Sequence, residues 1–178
     1  MKKAILGIII IMGVISVSGC ISNDSNSAED LKTFSKNGIF FKYPGHWNVA
    51  TTEIEDTIAS VADPNTIDSF TGLAQTSVVV QKQNLTMPIE RFFNDTYSKL
   101  SSDSSFNLIS EGNLTIGEYN ANEFVYTIDQ LDTRKKVKAV WIQNDQEVYV
   151  VLFTASESEF DKQIKYFDFI LSTFRINS

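Results

Sequence analysis

Apolar residues recur along this chain with two different periods. Ile39, Phe41 and Tyr43 alternate with polar or outward positions, which places them on one face of a strand that Pro44-Gly45 closes with a turn. An extended segment restarts at Trp47 and runs to Thr52, and residues 58–62 and 77–83 read as two further strands separated by a turn-rich stretch from Asp63 to Gly72. Between Met87 and Leu100 the spacing changes. Ile89, Phe92, Phe93, Tyr97 and Leu100 recur at three- and four-residue steps, predicting an amphipathic helix with Thr86 placed to cap it and Pro88 in its first turn.

Four extended segments follow, over residues 108–116, 123–128, 135–142 and 147–155. In the third, Lys136 and Lys138 alternate with bulk, so it is expected to be half exposed; Val148 to Phe153 is apolar throughout and is expected to be a central strand covered on both faces. Ser156-Glu157-Ser158-Glu159 has the form of a capping box, and Phe160, Ile164, Phe167 and Leu171 share one stripe of the helix behind it. The short links between Ile116 and Glu147 imply hairpins. The expected class is α+β, a mainly antiparallel sheet with helices packed on it.

The first thirty residues follow neither period. Lys2 and Lys3 precede an uncharged apolar run, Ala4 to Val17, of fourteen residues, short of the roughly twenty that a spanning helix needs. Residues 1–19 therefore read as a signal peptide. Val17-Ser18-Gly19-Cys20 resembles the lipobox of prelipoproteins, which implies cleavage between Gly19 and Cys20, lipid on the Cys20 thiol, and a domain held at the cell membrane facing outside the cytoplasm. Residues 20–33 are then a lipidated cysteine and a polar tether, and the domain is expected to occupy residues 34–178.

Composition narrows the functional classes. Losing residues 1–19 removes two lysines and no acid, taking the net charge from −7 to about −9, so phosphate backbones and anionic headgroups repel the domain and nucleic-acid binding is not expected. With Cys20 committed to lipid no disulfide can form, and thirteen Phe, six Tyr and two Trp must supply the core. Asn-x-Ser/Thr triplets at Asn23, Asn84, Asn94 and Asn113 are candidate glycan acceptors.

Catalytic and metal-binding patterns are sparse. His46 is the single histidine and sits in a turn, where packing outweighs catalysis; it would have to supply any nucleophilic mechanism's base alone. The acidic clusters Glu53-Glu55-Asp56 with Asp63 and Asp68, and Asp129 with Asp132, lack the spacing and glycine of a calcium loop, so no metal site is assigned. Phosphate loops, paired-cysteine zinc sites and a Gly-x-Ser-x-Gly elbow are absent.

Residues 38–47, Gly38-Ile39-Phe40-Phe41-Lys42-Tyr43-Pro44-Gly45-His46-Trp47, together with a helix after the 77–83 strand and a closing helix ending in Ser172-Thr173-Phe174, resemble the PsbP-like family over residues 34–177. The resemblance implies an antiparallel sheet between helices, an α/β/α sandwich, with Tyr43, Pro44 and Trp47 at a corner of the core. It also implies binding or assembly of partner proteins, without a cofactor and without a common reaction. The expected function is thus a non-enzymatic, membrane-tethered module that binds a membrane-associated protein complex. The alternative is capture of a small ligand or metal ion in a cleft around the Asp63 to Gly72 loop.

Overall fold

The computed structural model describes residues 30–130 and 133–177. Cys20, Gly19, Asn23, Asp132 and the whole signal segment lie outside them. Ten strands and two helices follow in chain order: β1 (Leu31–Lys36), β2 (Ile39–Pro44), β3 (Asn48–Val49), β4 (Thr57–Ala62), β5 (Ser77–Asn84), α1 (Ile89–Leu100), β6 (Asn107–Ile116), β7 (Tyr119–Gln130), β8 (Thr133–Asn144), β9 (Glu147–Ser156), α2 (Phe160–Thr173) and β10 (Arg175–Ile176).

Seven strands form one antiparallel sheet in the order β3-β4-β5-β9-β8-β7-β6. The run β6 to β9 is a meander of consecutive hairpins, as the short links imply. β9 lies in the middle, and residues 148–155 are buried throughout, because alternate side chains serve opposite layers. Tyr149, Val151, Phe153 and Ala155 join one core with α2, while Val148, Val150 and Leu152 join the other with Phe92 of α1. One helix on each face makes the expected sandwich. Each ring buried this way is worth about 1.5–3 kcal/mol.

A second sheet, β1-β2-β10, packs on the α2 side. β1 begins at Leu31, inside the stretch read as tether, and pairs with β2 from Leu31↔Pro44 to Lys36↔Ile39. The two-residue turn between them is Asn37-Gly38, both at positive φ (55° and 75°), the geometry whose twist suits a tight hairpin. Tyr43 and Trp47 are buried at the corner beyond Pro44, where Trp47 N–H donates to the Pro44 carbonyl at 3.0 Å. Of the segment expected from Trp47 to Thr52, Asn48 and Val49 form the strand, and the Ala50 N–H beyond them donates to the Ser60 carbonyl at 2.9 Å.

Both expected helix caps are corrected. α1 starts at Ile89 with Pro88 in the capping position and no side-chain bond, so Thr86 does not serve it. At α2 the box does not close: Ser156 is still the end of β9, Glu159 occupies the capping position in helical geometry, and its carboxylate turns instead to Lys162 Nζ at 2.8 Å. Lys136 and Lys138 of β8 are half-buried rather than free. Lys136 meets Asp161 at 3.0 Å and lies over the Phe160 ring, and Lys138 reaches Glu123 at 3.0 Å and Asp168 at 3.7 Å.

The outer strand β6 carries a bulge between Leu108 and Ser110. An extra residue reverses which face the following side chains take. Leu108 thereby packs on the α1 side while Leu114 and Ile116 pack on the α2 side.

Candidate functional site

Beneath α1 the sheet and helix enclose a cleft of about 40 Å³, room for about three waters. Its walls are aromatic. Phe93 lies 4.5 Å from Phe124 and 5.5 Å from Trp141, Phe92 lies 5.8 Å from Trp141, and Phe106 bridges Tyr97 and Tyr126 at 5.8 and 5.1 Å. Complete burial pushes the Tyr126 phenol above its ordinary range, so it stays neutral.

Three polar side chains interrupt these walls. Thr96 donates to the Phe92 carbonyl at 2.8 Å, and Gln81 donates to the Glu55 carbonyl at 3.2 Å. Gln83 is 8% exposed, and its Oε1 has no hydrogen-bond partner among the described residues. A buried acceptor without a donor is costly to keep. No residue of the Asp63 to Gly72 loop lines this cleft.

The loop from β4 to β5 is built on carboxylates. Asp63 is buried; its Oδ1 accepts the Asn65 N–H at 3.0 Å and its Oδ2 lies 3.9 Å from His46 Nε2. His46 in turn packs edge-on against Tyr166, 5.4 Å away. Asp63 therefore caps a turn, and His46 flanks the Trp47 corner. Asp68 Oδ1 gathers the Phe70 N–H (3.1 Å), the Thr71 N–H (2.7 Å) and the Thr71 hydroxyl (2.9 Å), and these Thr71 bonds lead in holding its carboxyl below the usual range. Ile67 bridges to Ala74 at the loop's base. The result is a firm projection whose tip, Phe70, is 96% exposed.

The remaining acids do not converge. Glu53, Glu55 and Asp56 stay at the surface, Asp129 pairs with Arg134 at 2.9 Å, and no group of three metal-ligating side chains occurs among the described residues. Nor is any described helix long and apolar enough to cross a membrane. Asn84, Asn94 and Asn113 are all exposed. Asn113 accepts from Asn122 at 2.7 Å, whereas Thr96, the third residue of the Asn94 triplet, is buried.

The sheet's two edges differ. β3 is two residues long, too short to recruit a partner strand, and the edge strand β1 of the small sheet carries Lys32 and Lys36. β6 has ten residues, no lysine, arginine or proline, and among the described strands pairs only with β7. Apart from its bulge and Glu111, it lacks the devices that usually blunt an edge.

The model of the PsbP-like protein family matches residues 8–176. The chain belongs to the PsbP-like family. Among solved structures, this PsbP-like chain is similar to cyanobacterial PsbP (CyanoP) from Synechocystis, at 15% identity and a TM-score of 0.55, covering 87% of this chain and 97% of that one. It is likewise similar to LpqN of Mycobacterium tuberculosis, a protein involved in cell envelope biogenesis, at 13% identity and a TM-score of 0.58, covering 85% and 93%. A protein of unknown function from Pseudomonas aeruginosa aligns at 9% identity with a TM-score of 0.51 over 80% and 94%. At these identities the likeness is one of fold. A search of curated proteins finds no match to the sequence.

Proposed function

We propose that this PsbP-like chain is a non-enzymatic binding module, tethered through lipid on Cys20 to the outer side of the cell membrane, that docks a protein of the envelope by strand addition to β6. The ten-residue edge of β6, which among the described strands has no partner on its outer side, carries this reading. A row of unpaired main-chain donors and acceptors offers affinity to an extended segment. From Ser110 to Ile116 the strand presents one charge, Glu111, so a partner segment meets little electrostatic penalty. LpqN's involvement in cell envelope biogenesis accords with an envelope setting.

A photo-crosslinking residue placed at Asn113 or Thr115 in the full chain, on intact host membranes, tests this. One recurrent protein adduct is expected from these positions and not from Asp95 on α1. The double variant Asn113→Lys, Thr115→Lys should lose that adduct without a change in thermal melting. Adducts independent of position would remove β6 from the interface.

One observation favours a second reading, the capture of a small ligand: the unpartnered Gln83 Oε1 in the aromatic cleft. A planar molecule bearing an N–H donor would satisfy it. Ligand-dependent melting with a panel of such compounds, repeated on Gln83→Leu, separates this reading from the first.

A further inference from the structure

The chain enters the fold at the same end of the main sheet from which the Phe70 loop projects. Asp30 is packed so closely on Gly45 that a Cβ at Gly45 would collide with the Asp30 carbonyl oxygen. His46, the next residue, lies 3.9 Å from Asp63, where the loop begins. Only residues 21–30 separate this point from Cys20. Ten residues reach at most about 35 Å when extended and about 17 Å on average when coiled. A chain anchored at Cys20 therefore keeps this end of the domain near the lipid surface at high local concentration.

The tip is chemically suited to that surface. Four of its amides are already used: Phe70 and Thr71 N–H bond to Asp68 Oδ1, Gly72 N–H to the Asp68 carbonyl at 2.8 Å, and Leu73 N–H to Thr71 Oγ1 at 3.3 Å. Residues 69–73, Ser-Phe-Thr-Gly-Leu, carry no charge. A medium without hydrogen-bond acceptors penalises free N–H groups, and these are satisfied before contact. A protein partner would more commonly draw on such donors. Since net charge repels anionic headgroups, the attraction is apolar and works on zwitterionic lipid.

We infer that Phe70 is a membrane wedge that enters the interfacial region of the bilayer and fixes the orientation of the tethered domain. The inference rests on anchoring at Cys20, so the test supplies the anchor chemically. The full chain has one cysteine; a maleimide lipid coupled to Cys20 of the Phe70→Trp variant is incorporated in phosphatidylcholine vesicles with or without brominated acyl chains. Trp47 and Trp141 are buried, and the spectrum of the parent protein, lipid-coupled in the same way, is subtracted.

The expected result is emission at shorter wavelength and quenching by brominated lipid, both lost when Cys20 is left uncoupled. Emission that stays at its aqueous wavelength while the protein floats with the vesicles overturns the wedge. So does a photo-crosslinker in place of Phe70 that captures one protein on host membranes while the Phe70→Trp variant goes unquenched in vesicles, which makes the tip a protein anchor. The mass of native Cys20 reports separately on whether the cell attaches lipid there.

Discussion

Gln83 is a buried amide in the wrong company, and replacing it by leucine is expected to stabilise the fold. Its Oε1 has no donor among the described residues, and the cleft it lines is walled by Phe92, Trp141 and Leu152 among others. An unsatisfied buried acceptor costs about 1–3 kcal/mol. Leucine is close in volume, and its different branching costs less than about 1.5 kcal/mol in a packed site. The net expectation is a gain of about 1 kcal/mol, which for a domain of this size raises Tm by roughly 2–4 °C. Urea unfolding followed by far-ultraviolet circular dichroism measures the difference at unchanged slope. Gln83→Ala is the control: it removes the same oxygen but opens a cavity, and should fall below Gln83→Leu. If Gln83→Leu unfolds at lower urea than the parent by more than about 1 kcal/mol, the amide has a native donor and the reasoning fails.

Phe167, fully buried against Phe153 with ring centroids 5.4 Å apart, holds α2 to the sheet; Phe167→Ala should cost about 3–5 kcal/mol in the same urea assay. Gly38 stands at φ 75° in the β1–β2 turn, so Gly38→Val should cost at least about 1–2 kcal/mol by thermal melting. The hydrogen bond from Lys82 holds the half-buried Glu147 carboxyl below its usual range, and the two lie 2.7 Å apart. A lowered folded-state pKa contributes stability above the ordinary glutamate range that is lost as pH falls through the folded value. Melting temperatures measured from neutral to acid pH should therefore decline less steeply below pH 4.5 in Lys82→Gln than in the parent.

Most of the sheet was legible because its strands are long and alternate cleanly. Val148 to Phe153 announced the centre, and the stripe from Phe160 to Leu171 announced α2. β1 was hidden because Lys32, Ser35 and Lys36 leave only Phe34 inward, too few apolar positions to show a period. The signal that could have revealed it was Asn37-Gly38, a hairpin turn pair directly before Ile39. The capping box at Ser156 misled because β9 runs on to that residue, and sheet pairing with Lys135 outcompetes a local bond.

The candidate surfaces were harder to read. Phe70 looks like any core aromatic in the sequence, and only the convergence of three donors on Asp68 Oδ1 turns it outward. The cleft depends on residues 81–152, brought together by the pairing of β5 with β9 across more than sixty residues, which no local pattern records. The bulge at Ile109 was equally silent, since Leu108 and Leu114 share parity and would otherwise share a face.

The small sheet gives the molecule two poles. β10 pairs with the start of β2, and Asn177 N–H reaches the Gly38 carbonyl at 2.9 Å, while Asp30 lies against Gly45 at the strand's other end. Six residues of strand separate these points, about 20 Å. A fluorescent protein or epitope fused after Asn177 would therefore emerge from the pole opposite the incoming chain. It would leave the entry side unobstructed, and its measured height above a surface would report whether the domain stands upright or lies down.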